Sequence, residues 1–323
     1  MDDILKKLVF LLLLSVIFSC ESKSETEQEI EKIPVELKVV RFDEKFAEAT
    51  PESLPKLEKE FPFLFPENVA DSVWMAKIND TLQQALNREV VEAFPNFSEE
   101  EDDIRQLFQH LKYYFPKFSE PTVITLTSEV DYRNRIIVTD SLLLISLDVY
   151  LGKAHEFYEG VYPYLRQDFE SELMVSDIAG EYAKKFVPMP KSRSFLAQMV
   201  YHGKILYLKD VLIPFKSDAQ KIRYSEDQLQ WAEKNEEEIW RYFVEKQLLY
   251  STQNDLQARF IDIGPYSKFY LQLDSESPAQ LGRYMGWQIV RQFMEKNENV
   301  SLEELLSTDA KTIFDRTNYK PAR

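Results

Sequence analysis

Three residues within five positions could do metal chemistry. In "GKAHEFYEG", Gly152 to Gly160, His155 supplies an imidazole, Glu156 an adjacent carboxylate and Glu159 a second carboxylate one helical turn further on. A zinc peptidase site of the HExxH kind needs two imidazoles a turn apart on a helix, a glutamate beside them as base and a third ligand from elsewhere. Here Glu159 stands where the second imidazole would be. Carboxylates do ligate zinc, so the residue types permit a site. The surroundings argue against it, because Gly152, Gly160 and Pro163 leave too little helix to present the ligands. The segment reads as a polar loop after a strand, with Phe157 and Tyr158 turned to the core. A zinc enzyme using His155, Glu156 and Glu159 stands as the rival reading.

No other constellation is stronger. His110, His155 and His202 are the only histidines and lie in three different segments. A base and second histidine in HExxH order after His202 would fall at Gly203 and Leu206, which cannot act. His202 reads as a surface or partly buried helix residue, and Gly203 as a point of close helix packing. There is no GxSxG elbow, and with seven glycines there is no phosphate-cradling loop. Acidic pairs can be drawn almost at will from 55 carboxylates, and the run Glu99 to Asp103 reads as a solvated helix start. No catalytic residue, metal ligand or cofactor is therefore assigned. "FPFLFPEN", Phe61 to Asn68, offers aromatic surface to a partner, but reads more simply as a buried, non-helical entry into the domain.

One residue does invite a specific chemistry. "MDDILKKLVFLLLLSVIFSC" has Lys6 and Lys7 ahead of an apolar run too short to span a bilayer, the pattern of a secretory signal. The run ends at Cys20, the only cysteine, and its setting after Ile17-Phe18-Ser19 resembles the lipobox of bacterial lipoproteins. That resemblance implies cleavage before Cys20 and lipidation of it, and several acyl chains on one residue give durable anchoring. The domain reading is a signal peptide over 1–19, a lipidated Cys20 with an acidic, flexible tether to 34, and one globular domain over 35–323.

The rest of the composition fits a folded body held at a membrane by lipid alone. Apolar residues make up 44% and aromatics 13%, enough for a large core, and no second run approaches spanning length. A net charge of −16 repels phosphate backbones, which argues against nucleic-acid binding.

The elements that must position any site are mostly helical. In "FSEEEDDIRQLFQHLKYYFP", Ser98 and Glu101 have capping-box spacing, Ile104, Leu107, Phe108, Leu111 and Phe115 share a face, and Pro116 stops the helix. "TVITLTSEV" and "RIIVTDSLLLISLDVYL" read as strands, the latter as two runs around Thr139-Asp140-Ser141. Helical signals return in "DFESELMVSDIAGEYAKKF", "SFLAQMVYHGKILYLKD", "SEDQLQWAEKNEEEIWRYFVEKQLLY" and "SPAQLGRYMGWQIVRQFMEK". In the third, Trp240, Val244 and Leu248 mark a buried face. The fourth is expected to start at Ser277 and Pro278, and a last helix after Ser301 and Glu304. A small central sheet followed by long helices is an α+β fold.

The lipobox, "VRFDEKF" at Val40–Phe46, "FPFLFP", "SLDVYLGKAHEFY" at Ser146–Tyr158, "MVYHGKILYLKDVLIP" at Met199–Pro214 and "LGRYMGWQIVRQFM" at Leu281–Met294 together resemble the gliding motility lipoprotein GldB family of Bacteroidetes, over essentially the whole mature chain. The resemblance implies an envelope lipoprotein needed for surface gliding, in bacteria whose adhesins are exported by the type IX secretion system. A fainter likeness reaches predicted zinc peptidases of thermolysin-type fold. Their HExxH helix corresponds to "ELMVSDIAGEYAKKF", which holds Glu172, Asp177 and Glu181 but no histidine. The expectation is a zincin-like outline, a degenerate metallopeptidase or pseudo-peptidase scaffold without an HExxH motif, acting as a noncatalytic interaction or assembly factor of gliding and secretion. Its partners would be the membrane, through the lipid, and other envelope proteins, facing the periplasm.

Overall fold

A computed structural model describes residues 24–271 and 274–321. The signal segment and Cys20 lie outside the described residues. Two compact units divide between Pro34 and Val35. The first holds α1, Glu25–Ile30, whose start is capped by Ser24, with Glu25 and Glu27 at the positive end of the helix dipole. Part of the expected flexible tether is thus helical.

The second unit begins with β1, Val39–Arg41, then α2, Phe42–Ala47, α3, Leu54–Glu60, α4, Asp71–Asn79, α5, Thr81–Ala93, and α6, Ser98–Tyr114. Strands β2, Thr122–Leu126, β3, Ile136–Val138, and β4, Leu142–Ser146, follow. The sheet order is β1-β2-β4-β3, with β1 and β4 parallel to β2 and β3 antiparallel to β4. The two apolar runs around Thr139-Asp140-Ser141 are strands as expected, and they pair as a hairpin whose loop is closed by Thr139 contacts to Leu142. Alternation along β2 sends Val123 into one apolar cluster and Ile124 into another, so both faces are covered. α6 and the later helices cover the first face. The second is covered by Phe42, Phe46, Phe61 and Phe65, with Phe61 and Phe65 packed edge to face on Phe42. "FPFLFP" buries only Phe61 and Phe65 and exposes Pro62, Phe63 and Pro66, so the expected buried entry is half right, and it contains a 3-10 turn, Pro62–Leu64, where a non-helical segment was expected.

The remainder is helical: α7, Pro163–Arg166, α8, Met174–Phe186, α9, Phe195–Leu212, α10, Asp218–Ile222, α11, Glu226–Lys234, α12, Glu236–Glu245, α13, Asp255–Phe260, α14, Leu281–Lys296, α15, Leu302–Ser307, and α16, Ala310–Thr317. The fold is α+β and mostly helical, with a small mixed sheet. No described helix is long and apolar enough to cross a membrane.

α9 and α14 cross backbone to backbone. A Cβ on Gly203 would sit 2.2 Å from the Gly286 carbonyl oxygen, and one on Gly286 1.8 Å from that of Met199, so only hydrogen fits at either position. Gly203 is the packing glycine its sequence setting implied.

Five local expectations need correction. Ser98 is already inside α6, with Phe97 at the cap position, and its hydroxyl donates to Asn96 Oδ1 in place of capping. The segment from Ser225 to Tyr250 is two helices, broken at Asn235, whose side chain donates to Trp231 O. The buried face of α12 is Ile239 and Phe243; Val244 is exposed, and Leu248 lies beyond the helix end. α14 begins at Leu281 because Ser277 donates its hydroxyl to the Ser267 and Asp274 carbonyls and Gln280 turns left-handed at φ 63°. Ser301 does cap, accepting from the Glu304 N–H at 3.1 Å, but two helices follow it.

Candidate functional site

Buried charge meets an open cavity around Asp177 of α8. Asp177 lies on the inward face of that helix, flanked by Val175 and Ile178, and Glu181 stands one turn on. Three donors converge on the buried Asp177 carboxylate from distant parts of the chain. Arg135, just before β3, brings Nε to 2.9 Å of Oδ2. Tyr150, after β4, donates its hydroxyl to Oδ2 at 2.9 Å. Arg223, after α10, donates from Nη1 to Oδ1 at 3.2 Å and lies 3.5 Å from Asp168 Oδ2.

The scaffold around these groups explains their placement. Asp148 accepts backbone N–H bonds from Ser128 and Val130, closing a turn in which Glu129 and Val130 are both left-handed, and so fixes the loop that leads to Arg135. Tyr158 donates to Asp148 O at 2.7 Å and accepts from the Leu151 N–H, holding Tyr150 from the other side. Arg223 is left-handed, at φ 64° and ψ 41°, a conformation costing a non-glycine residue about 1 kcal/mol, kept because its guanidinium is tied to two aspartates. Behind the centre, Lys209 of α9 donates to Ser176 Oγ at 3.0 Å and Lys221 O at 2.9 Å. Gly180 leaves room for it, since a Cβ there would lie 3.2 Å from Lys209 Cε.

Burial and charge act in opposite senses here. Burial alone would raise the Asp177 carboxyl, but Arg135, Arg223 and Lys209 outweigh it and hold the group below its ordinary value. For Asp168 burial wins and the carboxyl is raised. Burial, with Arg223 nearby, lowers the Lys209 ammonium to about 7. In front of the centre opens a cavity of about 450 Å³, lined by Arg133, Arg135, Arg223, Asp168 and Asp177, with Tyr132, Tyr164, Phe169 and Ile263 as its apolar walls. Beside it a void of about 20 Å³ touches Asp168 and Gln280, whose Oδ1 and Nε2 have no hydrogen-bond partner among the described residues; one water fits such a space.

The residues singled out for metal chemistry lie elsewhere. His155 caps a single 3-10 turn, Glu156–Tyr158; its Nδ1 accepts from the Phe157 N–H at 3.3 Å, which leaves Nε2 to donate toward Glu89 Oε2, also at 3.3 Å. Glu156 and Glu159 are exposed, Tyr158 is fully buried and Phe157 packs against the sheet cluster, the loop arrangement expected. His110 Nδ1 is bonded to Gln106 O, and His202 is partly buried beside Tyr201 with its pKa lowered by burial to about 3. Among the described residues no three His, Cys, Asp or Glu side chains are grouped to hold a metal ion. In the "ELMVSDIAGEYAKKF" segment, Asp177 and Glu181 of α8 bind arginines and Lys184, and Glu172, in a 3-10 turn before the helix, accepts weakly from Gln220.

A sequence model of the gliding motility protein GldB family matches residues 23–321. The chain belongs to the GldB family. No curated protein and no solved structure matches it. The family's lipoprotein character places GldB with the cell envelope, and its name ties it to gliding motility. The segments that carry the likeness are the supports of this fold. In "VRFDEKF", Arg41 forks onto the buried Asp43 and donates to Phe94 O, while Thr125 makes a short bond to Asp43, fastening β1 and α2 to β2. "MVYHGKILYLKDVLIP" and "LGRYMGWQIVRQFM" are α9 and α14, joined at Gly203 and Gly286. "SLDVYLGKAHEFY" supplies Asp148, Tyr150 and Tyr158 to the Asp177 centre. Arg135, Asp168, Arg223 and Lys209 were not picked out from sequence. The available signal was a charge placed within an apolar stripe, as Asp177 is in "MVSDIA" and Lys209 in "ILYLKDVL".

Proposed function

We propose that this chain is a lipid-anchored envelope protein that serves gliding as a noncatalytic interaction or assembly factor, together with the associated secretion machinery. The observation that carries the reading is the state of α8. Its central carboxylate is held by two guanidiniums and a tyrosine hydroxyl, an arrangement that fixes shape and presents charge but offers neither an activated nucleophile nor a free base. A zincin-like descent of the helix order fits the same picture, as a scaffold whose ligand positions have become ion-pair partners. The anchor is Cys20, and the body faces the periplasm.

Complementation of a strain lacking the gene tests both halves. Cys20→Ala at normal abundance should abolish colony spreading by releasing the protein from the membrane, whereas Glu156→Gln should spread normally. Normal spreading by Cys20→Ala would remove the anchor from the account. Loss of spreading by a folded, abundant Glu156→Gln would instead restore a catalytic role to the His155 segment.

A further inference from the structure

We propose that the cavity in front of Asp177 is a binding site for a free carboxylate carried on an apolar or aromatic body. Arg135 and Arg223 each face Asp177 with one side of the guanidinium. The Arg135 guanidinium makes no polar contact beyond its ion pair with Asp177 among the described residues, its other contacts being the rings of Tyr150 and Phe169; Arg223 directs Nη1 at the aspartates. None of the remaining guanidinium nitrogens is a sealed, unpartnered atom, so they are open to the cavity they line. Two forked donor groups with unused edges on one wall of a cavity are the arrangement that binds an oxyanion. Both side chains are mostly buried, at 10% and 18% exposure, so the attraction is screened less than at an open surface.

Charge selects the class of anion. Of the charged groups that line the cavity, Lys184 pairs with Glu181, and Arg133, Arg135 and Arg223 face Asp168 and Asp177, leaving one positive charge in a chain whose net charge is −16. A single negative charge neutralises that excess; a phosphate dianion would overshoot it beside two aspartates. The walls select the rest of the ligand. Tyr132, Tyr164, Phe169 and Ile263 give the cavity an apolar lining, and about 450 Å³ is the size of a small-ligand site. Such a group occurs at the C-terminus of a peptide ending in an apolar residue, or on a small aromatic acid. The inference goes beyond the role in gliding and is testable without it.

The test is calorimetric titration of the full-length chain in detergent with N-acetyl-phenylalanine, its carboxamide, N-acetyl-Gly-Gly-Phe and inorganic phosphate. Arg135→Lys and Arg223→Lys keep the charge balance around Asp177, so the fold is retained, but remove the forked donors; circular dichroism checks the folding. The free acids should bind at least tenfold more tightly than the carboxamide and than phosphate, and each lysine variant should lose at least tenfold. Tighter binding of the tripeptide assigns the site to a peptide terminus, and tighter binding of the single residue to a small acid. Equal binding of acid and carboxamide, preference for phosphate, unchanged affinity in both folded lysine variants, or no binding by either acid at millimolar concentration each overturns the proposal.

Discussion

Two charge centres meet neighbouring residues of α9, Lys209 at the Asp177 centre and Asp210 at a far one that does not line the cavity, and they are finished differently. At the far one, Arg291 of α14 donates to Asp210 from Nε at 2.7 Å and Nη2 at 2.6 Å, and to Asp218 from Nη1 at 2.6 Å and Nη2 at 2.8 Å. Trp287 adds its indole N–H to Asp210, its ring lies 3.6 Å beneath the guanidinium, and Lys221 closes the group. Every nitrogen of that arginine is bonded. The Asp177 centre has two arginines, neither saturated, opening onto a cavity. A saturated centre locks helices together, whereas an unsaturated one beside a void keeps binding capacity. The contrast separates the part of the molecule that makes the fold from the part that meets a ligand.

The comparison can be pressed with substitutions, beginning where the effect is largest. Gly286→Ala should destabilise the chain by about 3 kcal/mol or more, because the new methyl collides with backbone that cannot yield, and the crossing that brings Asp210 to Arg291 opens. The urea midpoint measures this; an unchanged midpoint would mean that the crossing is not tight. Arg291→Met should cost roughly 2–3 kcal/mol, below the figure for a fully buried pair because the side chain is partly exposed, and should affect spreading only in proportion to abundance.

Asp177→Asn should be milder, about 1–2 kcal/mol, since its arginines reach the water-accessible cavity. It should also alter the acid response. The Asp177 carboxyl is lowered in the fold, so its contribution is present above the unfolded pKa near 4 and is lost as pH falls through the lowered folded value. Acid titration of the unfolding midpoint should show the wild type losing that increment below about pH 4 and Asp177→Asn not losing it.

Lys209→Met should have the smallest effect at pH 7, where removing a buried cation offsets two lost hydrogen bonds. Its signature lies on the alkaline side. With the folded pKa lowered to about 7 and the unfolded value near 10.4, the unfolded chain binds more protons between them, so wild-type stability should rise over that range. The difference between wild type and variant should therefore change steadily from pH 7 to 10, and parallel curves would show that Lys209 is not buried as described.

How far the sequence alone reaches follows from how local each feature is. Helix α6 and its face were legible, because Ile104, Leu107, Phe108 and Leu111 recur at helical spacing and Pro116 follows. The two strands around Thr139-Asp140-Ser141 and the packing role of Gly203 were legible for similar reasons. β1 was not, since three residues carry no alternation and its pairing to β2 is 84 residues away in sequence. The start of α14 was misplaced because Pro278 at a first helical position is a good local rule, overridden by the carbonyls that Ser277 serves and by the left-handed Gln280. In α12 the four-residue repeat of Trp240 and Val244 was real, but which face is buried is set by the partners of Ile239 and Phe243. The Asp177 centre was half legible. Asp177 was noted on its helix, yet the arginines that bind it arrive from a strand entry and a helix exit 88 residues apart, and no spacing rule links them.

The most direct test of the division between the two centres is colony spreading by cells whose chain carries Arg223→Lys, at wild-type abundance and with an unchanged urea midpoint. The account predicts that spreading is lost, because the forked donors facing the cavity are gone while the fold remains. Wild-type spreading by that variant would contradict it and reduce the Asp177 centre to a second structural lock.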